Sequence, residues 1–138
     1  MPEIGLPPPS VWLIIIPLLA LLAAVPLGRR AARLMPIVAV VMPALALWLI
    51  VEVSVGGPQE HTLGGWSPPL GIVLRADGLS AAMLLLTALL GAAAGLFSMA
   101  LYPPRGGDET AASGTFWALY FSLWAAMNVV FLSGDLFN

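Results

Sequence analysis

The sequence predicts an all-α integral membrane protein: four transmembrane helices in a single membrane domain, 1–138, with a small external hairpin between helices two and three. Three observations carry this. Of 138 residues, 60% are hydrophobic and 9% charged, and the mean hydropathy is +0.99. A soluble domain of this size needs far more polar surface to cover its core. The apolar residues gather in four runs, at about 11–27, 34–53, 79–102 and 115–132, and a membrane span takes roughly 20 such residues. None of the runs has a polar stripe wide enough for a surface helix. Lone strands would leave unpaired backbone in lipid, so the runs are read as helices.

The first run follows a segment that contains Glu3 and no basic residue. A cleaved leader would carry positive charge there. The basic residues come after the run instead, which is the pattern of an anchored span. Gly28 to Arg33 holds three arginines in six residues, so the positive-inside rule puts this connection in the cytoplasm and the N-terminus outside. Pro17 in the first helix and Pro43 in the second each remove a backbone donor and should kink the chain. Packing geometry accounts for both, with a gating role as the alternative.

The connection from Ser54 to Gly78 is the longest polar stretch. Two extended pieces around a turn at Ser67-Pro68-Pro69-Leu70-Gly71 read as the external hairpin. Ile72, Val73 and Leu74 suit a strand, and Asp77 stands where the third helix needs a cap. Within that helix Gly91 and Gly95 form a Gly-x-x-x-Gly spacing, which lets helix backbones approach closely in lipid. The fourth helix is aromatic. Trp117, Phe121, Trp124, Asn128 and Phe131 share one face, a packing face with an interfacial tryptophan near the helix start. The Asn128 amide calls for a partner on another helix; a place in a hydrated ion path is the alternative.

Other chemistry is thin. There is no cysteine and one histidine, His61, so no metal site or cofactor is expected, and no phosphate loop or nucleophile motif is present. A net charge of −2 gives no reason to expect nucleic acid. Glu52, Asp77 and Asp135 fall near the outer ends of their helices, where a charge is cheap. The chain has no lysine and no carboxylate at membrane depth, although an ion translocator needs titratable groups there.

Two blocks carry a family resemblance. Leu63-Gly-Gly-Trp-Ser-Pro-Pro-Leu-Gly-Ile-Val-Leu-Arg-Ala-Asp-Gly-Leu-Ser-Ala81 and Asn128-Val-Val-Phe-Leu-Ser-Gly-Asp-Leu-Phe-Asn138 resemble the N-terminal portion of the antiporter-like subunits. That family is shared by Mrp-type multisubunit Na+/H+ antiporters, membrane-bound hydrogenases and respiratory complex I, and the D-type component of the Mrp antiporters is the nearest branch. The resemblance implies a subunit of about fourteen helices that moves protons against a cation such as sodium. Its proton-carrying glutamate and lysine residues lie in the fifth helix and beyond, so none maps onto a position here.

The expectation is therefore a non-enzymatic component of a multisubunit cation/proton antiporter in the cell membrane, incomplete on its own. Its partners would be membrane lipid, the other antiporter-complex subunits and the missing C-terminal half of the same subunit. Asp77, Asn128 and Asp135 are the ion-path candidates; Gly91 and Gly95 serve helix packing. The alternatives are a proton-pumping membrane subunit of an NADH-quinone oxidoreductase or hydrogenase complex, and an inert truncated fragment.

Overall fold

The computed structural model describes residues 7–63, 72–102 and 110–133. Helix α1 (Pro9–Leu27) leads through a 3-10 connector (Gly28–Leu34) into α2 (Met35–Gly56). Strands β1 (Gln59–Leu63) and β2 (Ile72–Ala76) follow, then α3 (Gly78–Leu101) and α4 (Thr110–Leu132). All four helices are long and apolar enough to cross a membrane. The chain is a multi-pass membrane protein.

Local chemistry sets the helix limits. Proline at the first turn of α1 and of α2 lacks only a donor that helix starts leave unused. Both helices stop at a glycine with positive φ, Gly28 at 55° and Gly57 at 78°, a backbone state that side chains with a Cβ resist. Asp77 caps α3: its Oδ1 accepts the Ser80 N–H at 2.8 Å.

Two helix limits differ by three residues or more from those the apolar runs suggest. Helix α4 starts at Thr110, ahead of 115, and α2 continues past Val53 to Gly56. Most of these added residues are small or polar and carry little hydropathy signal. The arginine-bearing connection is a 3-10 helix with Ala31 and Ala32 fully buried.

In the bundle, α1 packs most extensively on α4, and α2 on α3; the α3/α4 seam is sparse. The core is filled by Leu13, Met35, Met42, Leu49, Leu84, Trp117, Phe121 and Leu132, all fully buried. The outside is apolar too: Leu22, Val40, Val51, Leu90 and Phe97 are exposed. A helix hydrophobic on every side belongs in lipid. Hydroxyls on these helices bond inward along their own backbone, Ser54 to the Ile50 carbonyl and Ser98 to that of Ala94.

The strands pair antiparallel, from Gln59 opposite Ala76 to Leu63 opposite Ile72. The expected turn at Ser67–Gly71 lies outside the described residues. A backbone bridge from Leu74 to Ser133 ties β2 to the end of α4. The bundle thus has a hairpin end, where α1 starts and α4 finishes, and an arginine end at the connector.

Candidate functional site

The polar features divide between two interfaces. The first lies between α1 and α4. Pro17 has no N–H, so the Leu13 carbonyl four residues earlier receives no helical hydrogen bond. Asn128 supplies the replacement: its Nδ2 donates to the Leu13 oxygen at 2.7 Å, in a buried site. A carbonyl can only accept, so the amide must turn its NH2 toward Leu13. Oδ1 then faces the other way and has no hydrogen-bond partner among the described residues. The same holds for Nε1 of Trp117 and of Trp124. Three buried polar atoms on one helix face stand out, because unpaired polar groups are costly in an apolar interior. Trp117 is fully enclosed, about two turns from the start of α4 at Thr110.

The second interface is the seam between α3 and α4. A Cβ added to Gly91 would meet the Trp124 ring at 2.9 Å. One added to Gly95 would meet the tip of Met35 from α2, with the Tyr120 hydroxyl oxygen 3.1 Å away. The Tyr120 hydroxyl donates to the Gly91 carbonyl, and its ring stands edge-on to Trp124 at 6.0 Å. The two glycines are therefore seats for large side chains of α4 and α2.

Where this seam opens at the hairpin end, Arg75, Asp77, Ser80 and Ser133 surround a cavity of about 590 Å³. The Ser80 backbone N–H holds the Asp77 carboxyl below its usual range; the Ser80 hydroxyl and the Arg75 charge pull the same way, and partial burial opposes them. Asp77 is thus a fixed negative charge at neutral pH.

The structure does not gather the sequence candidates into one centre. Asp77 opens onto the α3/α4 seam, Asn128 is bonded into the α1/α4 interface, and Asp135 lies outside the described residues. His61 is on β1. Arg75, Tyr120 and the Leu13 carbonyl escaped the sequence reading. Of these only Leu13 had a signal, the proline four residues later. Helices α1, α3 and α4 carry no Asp, Glu, Lys or Arg, and α2 carries only Glu52, in its last turn and a half. Among the described residues no three His, Asp or Glu side chains come together.

No family model matches the chain. It is similar to several curated proteins over part of their length, three of which follow. The first is the D component of a probable K(+)/H(+) antiporter of Rhizobium meliloti (strain 1021), 44% identical over 85 residues that cover 62% of this chain and 14% of the relative. The second is the D component of the Na(+)/H(+) antiporter of Bacillus subtilis (strain 168), 37% identical over 90 residues that cover 65% and 17%. The third is the N component of the NADH-quinone oxidoreductase of Desulforudis audaxviator (strain MP104C), 31% identical over 136 residues that cover 93% and 26%. The chain spans about a quarter or less of the length of these relatives.

Proposed function

For a chain homologous to part of the D components of cation/proton antiporters and of the N component of an NADH-quinone oxidoreductase, we propose a role in a multisubunit monovalent-cation/proton antiporter. It forms a four-helix scaffold beside the ion path and contributes to the outer mouth at its hairpin end. The observation that carries this reading is the pairing of the antiporter similarity with helices almost free of charge. Groups that hand on a proton at membrane depth must be titratable, so they belong to polypeptide outside these four helices. Other complex subunits and further sequence of the same subunit are its partners, and the chain itself makes or breaks no covalent bond.

The orientation follows from charge. The connector arginines face the cytoplasm, which puts the hairpin and the N-terminal end of α1 outside. Asp77 and Asp135 then belong to the outer mouth. Asn128, about 6 Å from the end of α4 at 1.5 Å per residue, lies just below it.

Inverted vesicles carrying the complete complex test the reading. Adding sodium or potassium to a preformed proton gradient should release it when the complex is whole and leave it intact when this chain is expressed alone. A complete complex insensitive to both cations defeats the antiporter version.

The second reading, a proton-pumping component of a quinone-reducing complex, is favoured by the similarity to the oxidoreductase N component, which covers nearly the whole chain. It expects proton uptake driven by NADH and quinone, with no cation requirement.

A further inference from the structure

The α3/α4 seam is sparse and opens beside the contacts at Gly91. Below the charged cavity lies a second one of about 370 Å³, walled by Leu86, Leu90, Ala94, Leu123 and Met127. Met83 and Phe131 border both cavities, so the two form one cleft with a polar mouth and an apolar shaft. From Met83 to Ala94 the shaft runs about 16 Å at 1.5 Å per residue. That is half of a hydrocarbon core about 30 Å thick, the depth of one leaflet. The groove between α1 and α2, about 260 Å³, is lined by apolar residues alone and has no charged mouth.

The mouth holds one charge of each sign. Arg75 is exposed on β2, and Asp77 follows two residues later, a spacing that keeps both on one side of an extended chain. The Asp77 carboxylate accepts from the Ser80 N–H, with the Ser80 hydroxyl and the Leu79 N–H acting on it as well, and of about four acceptor positions one is left for a further donor. An anionic headgroup would meet repulsion at Asp77. A headgroup with a phosphate and a primary ammonium satisfies both residues.

We propose that this cleft binds one phosphatidylethanolamine molecule, its phosphate on Arg75, its ammonium on Asp77 and one acyl chain along the shaft to Ala94. The lipid closes the sparse α3/α4 seam from the leaflet at the hairpin end. This site is independent of which ion the complex moves.

The test uses the chain in nanodiscs doped with phospholipids bearing a photoactivatable group in the acyl chain, with ethanolamine, choline or glycerol headgroups. Peptide mapping should place ethanolamine-lipid adducts on residues 83–94 and 123–131, in excess over the other two probes by about five-fold, the scale of the one hydrogen bond of about 1 kcal/mol that only a primary ammonium can donate to Asp77. Asp77→Asn should remove that excess, and Arg75→Ala should lower labelling by all three probes. Arg75 is exposed and asparagine still caps a helix, so both variants should fold. Equal labelling by the three headgroups overturns the proposal. So do adducts spread evenly to Val40 and Val51, and a cleft unlabelled by every probe, the result expected if a protein helix occupies it.

Discussion

Asn128 reaches across 115 residues of sequence to hydrogen-bond the Leu13 carbonyl, an acceptor in α1 that Pro17 leaves without a helical donor. Proline and asparagine are each unfavourable inside an isolated helix. In this bundle each supplies what the other lacks, because a carbonyl freed in lipid must find a donor on a neighbour.

Replacing Asn128 by leucine removes the donor and strands the carbonyl. The expected loss is about 1–2 kcal/mol, read as the midpoint of unfolding in mixed detergent micelles. Pro17→Ala returns an N–H to Leu13 within the helix. In that background Asn128→Leu should cost less. Equal costs in both backgrounds would show that the contribution of Asn128 does not come from the carbonyl that Pro17 frees.

Gly91→Ala drives a methyl group against the Trp124 ring, whose contacting atoms are rigid. About 1–3 kcal/mol should be lost by the same measurement. Gly95→Ala should cost less, since Met35 presents a flexible tip and the Tyr120 oxygen at 3.1 Å needs to move only slightly. Trp124→Leu should recover part of the Gly91→Ala loss. A Gly95 variant worse than the Gly91 variant contradicts the assignment of these seats.

Asp77→Ala should destabilise by about 1 kcal/mol through loss of the α3 cap, while Asp77→Asn keeps the acceptor and most of the stability. The Asp77 carboxyl is lowered in the folded chain, chiefly by the Ser80 N–H. Its contribution is therefore complete above the ordinary carboxylate value of about 3.9 and fades as pH falls through the lower folded value. Acid titration of stability should show a component in the wild-type chain that Asp77→Asn lacks. Superimposable acid profiles for the two chains would remove the carboxylate charge from the energetics of this cap.

The absence of cysteine makes orientation directly measurable. Glu60 on β1 and Arg30 in the connector are both exposed. An impermeant maleimide should label Glu60→Cys in intact cells, and Arg30→Cys only after permeabilisation. The reverse pattern would invert the topology.

The sequence reveals what depends on local composition. Four long apolar runs mark the helices, and Asp77 before Gly78-Leu79-Ser80 marks a cap because the hydrogen bond spans only three residues. It is silent where two distant segments must meet. Gly91 and Gly95 announce a close approach, but their occupants, Trp124 and Met35, are set by bundle geometry. Asn128 and Pro17 are each conspicuous alone, and nothing local joins them. Arg75 reads as an ordinary strand charge until β2 brings it to the mouth beside Asp77.

The connector has a consequence for how the chain tolerates change in length. Ala31 and Ala32 have no exposed surface, while Arg30 and Arg33 on either side are exposed, and the segment packs on α4. One inserted residue would rotate an arginine into the sealed position, at a cost of several kcal/mol for an uncompensated buried charge. Turns between helices usually drift in length among related chains. This one should resist insertion, and with it any change in the spacing between α1 and α2.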